Sequence, residues 1–126
     1  MKTIIHTDKA PAPIGPYNQA VLVDNTLYTS GQIALNPATM ELVLGTIEIE
    51  TTQVMENMKA VLEAANMTFA DVVKSSIFIS DMNDFAKINT IYGSYFDEKT
   101  APARETVQVA KLPRNVNVEI SMIVIK

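Results

Sequence analysis

The stretch Asn117–Ile125, NVEISMIVI, says more about the fold than any other part of the chain. Every second residue from Val118 to Val124 is apolar, and this alternation is typical of a strand that turns one face to a hydrophobic core. Ile123 and Ile125 have the opposite parity, so both faces of the strand are expected to be buried near its end. The stretch therefore predicts a sheet that is covered on both faces.

Two helices are predicted before this strand. The first lies between Glu48 and Asn66. Its apolar residues share one helical face, namely Val54, Met58, Val61, Leu62 and Ala65. The second follows Asp81, Asn83 and Asp84, which supply capping groups and negative charge for its first turn. Its core face is aromatic and branched, namely Phe85, Ile88, Tyr92, Tyr95 and Phe96. Two helices can cover only one face of a sheet, so we expect the second face to pack against another copy of the protein.

Four further extended segments complete a predicted α/β (α+β) domain. Val21–Val23 and Leu27–Ser30 flank Asp24-Asn25, a pair suited to a tight hairpin turn. Val73–Ser80 and Arg104–Val109 are the other two predicted strands. In the first of these two, three apolar residues share one parity, namely Val73, Ile77 and Ile79.

The composition excludes several classes of site. The 126 residues include 10 Lys plus Arg, 14 Asp plus Glu, one His and no Cys, which gives a formal net charge of −4. Without cysteine there is no disulfide framework, thiolate metal site or cysteine nucleophile, and His6 alone cannot build a multi-histidine metal site. The length suits one domain spanning residues 1–126. No secretory signal or membrane span is recognised, so the cytoplasm is the expected location.

The two arginines of the chain lie in different contexts. Arg104 follows Ala101-Pro102-Ala103, whose small side chains leave space beside the guanidinium. Its planar fork can bind a carboxylate through two hydrogen bonds, so a small organic acid is the natural ligand. An ion pair with one of the chain's own 14 acidic residues is the alternative. Arg114 follows Leu112-Pro113 in a loop and is expected to be a solvated surface residue.

Glu119 interrupts an otherwise apolar strand. It either faces solvent together with Asn117 and Ser121, or lines a pocket where burial raises its pKa into a range that suits proton transfer. Tyr17 and the segment Ser30-Gly31-Gln32 could offer a hydroxyl and backbone N–H groups to a ligand. Taken singly, each of these is better explained by a turn or packing role.

Several motifs together resemble the RidA family, also called the YjgF family. They are Ile14-Gly15-Pro16-Tyr17, Ser30-Gly31-Gln32-Ile33, Pro102-Ala103-Arg104, Leu112-Pro113 and Val118-Glu119-Ile120. The match spans nearly the whole chain, and the part that runs from Pro102 to Ile120 is the characteristic signature of the family. The resemblance implies a chorismate-mutase-like fold, a mixed sheet with two helices packed on one face, assembled as a homotrimer with ligand sites in the clefts between subunits.

The resemblance also implies an activity. The best-known members of the family hydrolyse reactive 2-imino acids and their enamine tautomers, such as 2-aminoacrylate and 2-iminobutanoate, to 2-oxo acids and ammonia without a cofactor. By this resemblance Arg104 would clamp the substrate carboxylate, and Glu119 would position and activate water. The residues that would line the cleft are Tyr17, Ser30, Gly31, Asn89, Ala103 and Thr106.

Thr106 is a departure from the family pattern. Many members carry cysteine two positions after the arginine, and this chain has threonine there. Threonine can still donate and accept a hydrogen bond into the cleft, so imine hydrolysis stays compatible with the sequence, whereas a function that uses the thiol does not. Glu105 is expected to point away from the cleft, because side chains alternate along a strand from Arg104.

Two other functions compete with the deaminase. The first is a non-catalytic, metabolite-binding regulatory trimer in which Arg104 senses a 2-oxo acid. The second is contact with RNA, because some relatives have been described as ribonucleases or translation inhibitors. A net charge of −4 and the lack of a basic stripe count against it, so no nucleic-acid partner is expected, and no membrane partner either.

Overall fold

Six strands form one mixed sheet in the computed structural model, which describes residues Met1–Lys126. In chain order they are β1 (Lys2–Ile5), β2 (Ala20–Val23), β3 (Thr26–Thr29), β4 (Val72–Ile79), β5 (Ala103–Gln108) and β6 (Val118–Ile125). Their order across the sheet is β1-β2-β3-β6-β4-β5. All neighbouring strands are antiparallel except β4 and β5, which are parallel. The strand that carries Glu119 is therefore central, and the strand that carries Arg104 lies at an edge.

Two helices, α1 (Ile47–Ala64) and α2 (Phe85–Gly93), share a hydrophobic core with one face of the sheet. Four alternate residues of β6 are buried in this core, namely Val118, Ile120, Met122 and Val124. They meet the apolar face of α1, where Val54, Met58, Val61 and Leu62 have no exposed surface. The predicted α/β domain with two helices on one sheet is thus confirmed. Neither helix is long and apolar enough to cross a membrane.

The second predicted helix is shorter than its apolar pattern. It ends at Gly93, so Tyr95 and Phe96 lie beyond it, although both still pack against the core. Their rings lie edge-on to Phe69, with centroids 5.2 and 5.3 Å apart. The pattern correctly found the residues that pack against the core, of which Ile88 and Tyr92 are buried, and edge-to-face aromatic contacts hold Tyr95 and Phe96 without a helical backbone.

Val73 does not share the buried face of β4, which corrects the parity expected from the sequence. The register shifts between Val72 and Lys74, a β-bulge that inserts one residue opposite the partner strand. Val72 is consequently buried and Val73 is 44% exposed. A bulge changes the parity of everything before it, and alternation alone does not reveal where one lies.

The sheet face opposite the helices, called the open face below, carries apolar side chains that nothing covers in the single chain. Tyr28 and Ile125 are 48% and 46% exposed, and Val107 is 40% exposed. Ile123 and Phe78 are half-buried on the same face. The expectation that this face packs against another copy of the protein stays a prediction.

A buried carboxylate holds the beginning of β6. Glu50 on α1 accepts hydrogen bonds from the backbone N–H groups of Asn117, at 2.7 Å, and Val118, at 3.2 Å. It also accepts one from the side-chain amide of Asn117 at 2.8 Å. A buried N–H left without a partner costs about 1–3 kcal/mol, so these bonds tie α1 firmly to the strand that carries Glu119.

Candidate active site

A cavity of about 530 Å³ lies where three loops meet the central strand β6. Four of the predicted site residues line it, namely Tyr17, Ser30, Gly31 and Glu119. Part of its wall is apolar, with Ile14, Ile33 and Leu35. The volume falls among small-molecule sites, which measure about 300–1,000 Å³.

Glu119 approaches the backbone of Gly31 very closely. A Cβ atom added at Gly31 would lie 2.7 Å from the carboxyl carbon of Glu119, so only glycine leaves room for this carboxylate. Reciprocal backbone hydrogen bonds between Gln32 and Ile120, at 2.8 and 3.1 Å, hold the two segments together. Burial raises the pKa of the Glu119 carboxyl, and no side chain or backbone N–H donates a hydrogen bond to it. The pocket interpretation of Glu119 is therefore the one the structure supports.

The loop before β2 is organised by one buried amide. Gln19 accepts a hydrogen bond from the backbone N–H of Thr7 at 2.8 Å and donates to the carbonyls of Thr7 and Pro11 at 3.0 and 2.9 Å. It is 2% exposed and lines the cavity. The sequence gives no sign of this role for Gln19, because its partners are backbone atoms whose position depends on the loop conformation.

The hydroxyl groups of Tyr17 and Ser30 differ in what they can offer a ligand. The Tyr17 hydroxyl accepts a hydrogen bond from the backbone N–H of Ile14 at 3.2 Å, so its own proton is free. The Ser30 hydroxyl donates to the carbonyl of Asn18 at 2.5 Å, so it presents only its lone pairs to the cavity. Tyr17 is thus the available donor on this side of the site.

Arg104 lies outside this cavity, in a cluster with α2. It donates a hydrogen bond to the side-chain oxygen of Asn89 at 2.6 Å. Its guanidinium carbon lies 5.2 and 5.6 Å from the ring centroids of Tyr92 and Phe85, within the range of cation–π contacts. No carboxylate of the chain pairs with it, so the alternative of an internal ion pair is wrong.

Arg104 and Glu119 lie on opposite faces of the sheet. Arg104 pairs with Ser75, which is fully buried on the face that the helices cover. Glu119 pairs with Phe78, whose parity is that of the open face. Paired residues in adjacent strands share a face, so the two groups predicted to act on one substrate are separated by the sheet within a single chain.

The remaining predicted residues belong to the Arg104 side or to the edge strand. Thr106 pairs with the buried Ile77, and its hydroxyl oxygen is buried without a hydrogen-bond partner. Ala103 begins β5 and is exposed. Glu105 points away from Arg104, to the open face that Glu119 also shares, where hydrogen bonds from Lys74 and Ser76 hold its pKa below the ordinary value.

Arg114 was expected to be a solvated surface residue, and the structure corrects this in part. It is exposed, but it also lines the cavity that contains Glu119. Its backbone has φ 57°, in the left-handed region that non-glycine residues seldom adopt, and Asn115 has the same φ. The sequence does not specify this bend, which is why position alone did not reveal the contribution of Arg114. No group of three or more His, Asp or Glu side chains is placed to hold a metal ion.

Comparison with known proteins gives consistent matches over nearly the whole chain. The family model described as Endoribonuclease L-PSP matches residues 7–126. A RutC family protein of Synechocystis is 52% identical over 123 residues, covering 97% of this chain and 95% of that protein. A protein of Dermatophagoides farinae named 2-iminobutanoate/2-iminopropanoate deaminase is 52% identical over 124 residues, covering 98% of this chain and 96% of that protein.

Solved structures agree with these sequence matches. RidA from an Antarctic Psychrobacter species has a TM-score of 0.94 and 46% identity, covering 98% of this chain and 99% of that one. E. coli TdcF with bound serine has a TM-score of 0.92 and 42% identity, covering 98% of each chain. These proteins share the fold, much of the sequence and nearly the whole length of the chain, which therefore belongs to the RidA (YjgF) family.

Proposed function

We propose that the protein is a deaminase that hydrolyses 2-imino acids and their enamine tautomers to 2-oxo acids and ammonia, without a cofactor. The observation that carries the proposal is the environment of Glu119, a carboxyl group with a raised pKa and no hydrogen-bond donor, held in a cavity against Gly31. A deaminase-named relative at 52% identity supports the same reaction. Imines of this kind also hydrolyse in water, so a catalyst must act where they are formed, and we place this one in the cytoplasm.

We further propose that each complete site combines two copies of the chain in a homotrimer. One half-site is the cavity with Glu119, and the other is the cluster of Arg104, Asn89 and Thr106 beside α2. No carboxylate of the chain pairs with Arg104, so its half-site has no base for water. The Glu119 cavity has one cation, the exposed Arg114, which is held only by a long hydrogen bond, whereas Arg104 is oriented by Asn89 and two aromatic rings. The apolar residues of the open face support association of the chains, and a closed ring of three copies would contain three complete sites.

The proposed chemistry needs placement and proton transfer. The guanidinium of Arg104 binds the substrate carboxylate, with one of its nitrogens already oriented by Asn89. Glu119 takes a proton from water as the water oxygen bonds to C2 of the imine, and it returns that proton to the imine nitrogen, which gives a carbinolamine. Glu119 then moves the hydroxyl proton of the carbinolamine to the nitrogen, the C–N bond breaks, and ammonia leaves as the C=O bond of the 2-oxo acid forms. General base catalysis of this kind contributes about 10²–10⁴ in rate, and alignment of water with the imine adds to it.

The direct test generates imines in place and follows their loss. An amino-acid oxidase or a threonine dehydratase supplies 2-iminopropanoate, 2-aminoacrylate or 2-iminobutanoate, and the wild-type protein is expected to accelerate their disappearance. Arg104→Ala should lower kcat/KM by roughly 10²-fold or more, since two charge-assisted hydrogen bonds are each worth about 1.5–3 kcal/mol.

Lys87→Ala is the matched control, because Lys87 is an exposed cation on the same helix as Asn89 and is expected to be dispensable. A folded, oligomeric wild type that does not accelerate imine loss would overturn the deaminase. Saturable binding of 2-oxobutanoate without any turnover would then favour the regulatory trimer.

The titration of Glu119 should depend on Arg104 of a neighbouring copy. Burial disfavours the carboxylate and raises its pKa, whereas a guanidinium within about 4–6 Å lowers it by roughly 1–3 units. Glu119 must be ionised to act as a base, so activity is lost as the pH falls through this pKa. Arg104→Gln removes the cation, and we expect the Glu119 pKa to rise by at least about one unit.

Carbon NMR of labelled glutamate side chains measures this shift without requiring activity, and the signal missing in Glu119→Gln assigns the resonance. An unchanged Glu119 titration in the oligomeric Arg104→Gln protein would contradict the shared site.

A further inference from the structure

We propose that Arg114 forms a second anion-binding position in the Glu119 cavity, so that the site accepts 2-imino and 2-oxo acids whose side chain carries a second acidic group. The inference rests on the proposed function for the reaction itself, but not for the binding of the second anion. It assigns a role to a residue that is needed neither for carboxylate binding by Arg104 nor for proton transfer by Glu119.

Arg114 is a cation without an internal counter-charge. Its only hydrogen bond goes from a guanidinium nitrogen to the carbonyl of Met40, at a long 3.5 Å. The ion pairs of the chain are His6–Asp8 and Lys74–Glu105, so no carboxylate neutralises Arg114. Even Glu119, in the same cavity, lies too far away to pair with it. A guanidinium that lines a partly apolar cavity and has most of its five N–H donors free is suited to a carboxylate ligand.

The cavity has more room than the smallest imino acids need. Its volume of about 530 Å³ is far larger than the space occupied by the few non-hydrogen atoms of a three- or four-carbon acid. The reacting carbon must lie near Glu119, and the first carboxylate is taken by Arg104 of a second copy. The cavity wall also includes the apolar residues Ile33 and Leu35 and the cation Arg114. A side chain with methylene groups and a terminal carboxylate suits a wall of this composition.

The backbone around Arg114 is costly and well supported. Arg114 and Asn115 both have φ 57°, a left-handed conformation that costs free energy in residues other than glycine. Backbone hydrogen bonds from Asn115 to Leu112, at 3.0 Å, and from Val116 to Pro113, at 3.3 Å, close the turn. The conformation that brings Arg114 to the cavity is therefore built into the loop, and a residue that tolerates it can replace arginine without unfolding the turn.

The test measures selectivity rather than activity alone. Isothermal titration gives the Kd of 2-oxobutanoate and of 2-oxoglutarate, two stable 2-oxo acids that differ by a terminal carboxylate. Arg114→Asn removes the charge and suits a left-handed backbone. In this variant the Kd of 2-oxoglutarate, divided by the Kd of 2-oxobutanoate, should rise at least tenfold. Arg114→Lys, which keeps the charge but not the fork, should give an intermediate shift. Lys111→Asn is the matched control, because it removes one charge three residues away and outside the cavity, and should leave the ratio unchanged.

The same comparison is then made with imines generated from glutamate and from 2-aminobutyrate by amino-acid oxidases. The inference is supported if kcat/KM for the glutamate imine, divided by kcat/KM for the 2-aminobutyrate imine, falls tenfold in Arg114→Asn and does not fall in Lys111→Asn. An equal loss for both acids means general attraction of anions and overturns it, as does an unchanged ratio. Selective binding of 2-oxoglutarate through Arg114 without any imine turnover would uphold the anion position and overturn the deaminase instead.

Discussion

Mixed oligomers of Arg104→Ala and Glu119→Gln chains are expected to hydrolyse imines that neither variant hydrolyses at a useful rate alone. Each variant lacks one half-site, and because Arg104 and Glu119 lie on opposite faces of the sheet, an intact pair can form between two different copies. Random mixing in equal amounts should restore about one quarter of wild-type activity over all trimers, and about one third in the trimers that contain both variants, because each of these has one intact site out of three.

Co-expression of the two variants with different affinity tags, followed by two purification steps, yields the mixed species. The control is a mixed oligomer of two chains that both carry Arg104→Ala, which should stay as inactive as the single variant. If verified mixed oligomers of the complementary variants show no recovery, the site does not combine Arg104 of one copy with Glu119 of another.

Gly31→Ala should lower kcat by about 10²-fold, because a displacement of about 1 Å in a catalytic group costs that much. The added Cβ would lie 2.7 Å from the carboxyl carbon of Glu119 and 2.9 Å from its Cγ, so the carboxylate has to move. The backbone of Gly31 is not in the left-handed region, and alanine can adopt it without strain. We therefore expect a loss of rate with little change in thermal stability.

Gly93→Ala provides the matched control, because an added Cβ there meets no atom within 4 Å. Combining Gly31→Ala with Glu119→Asp shortens the displaced side chain by one methylene group, and should recover part of the lost rate relative to the sum of the single effects. A Gly31→Ala protein with wild-type kcat would show that the position of Glu119 against Gly31 is not needed for the reaction.

Local patterns in the sequence were enough to find both helices and five of the six strands, but they missed β1 (Lys2–Ile5) and did not give the arrangement of the elements. The alternation in β6 and the helical face of α1 are recorded in consecutive residues, and both were predicted close to their observed bounds. The strand order, with β6 between β3 and β4, depends on long-range pairing that no local pattern contains. The bulge before Lys74 is similarly invisible, since it depends on how β4 meets β6.

The sequence was likewise enough to find residue types of the candidate site, but not their arrangement. The motifs pointed to Arg104, Glu119 and Gly31 because their residue types suit carboxylate binding, proton transfer and hydrogen bonding from a backbone N–H, whereas the close approach of Glu119 to Gly31 was not predicted. The sequence shows that successive residues of one strand point to opposite faces, but it does not show which face the helices cover. That Arg104 and Glu119 lie on opposite faces of the sheet is therefore known only from the structure. Gln19 and Arg114 were missed because loop backbones bring them to the cavity.

The hydrogen bonds of Glu50 imply that the two sides of the cavity differ in their dynamics. The side of the cavity that carries Glu119 is as stable as the core, because local unfolding there requires the hydrogen bonds between α1 and the beginning of β6 to break. The opposite wall, from Pro11 to Tyr17, is attached mainly through the side chain of Gln19. Local opening concentrates where few buried contacts must break, so we expect amide hydrogen exchange to be slow at Val118 and fast along this loop. In the proposed deaminase, substrate and product would then pass on the loop side, while the Glu119 carboxylate keeps its place.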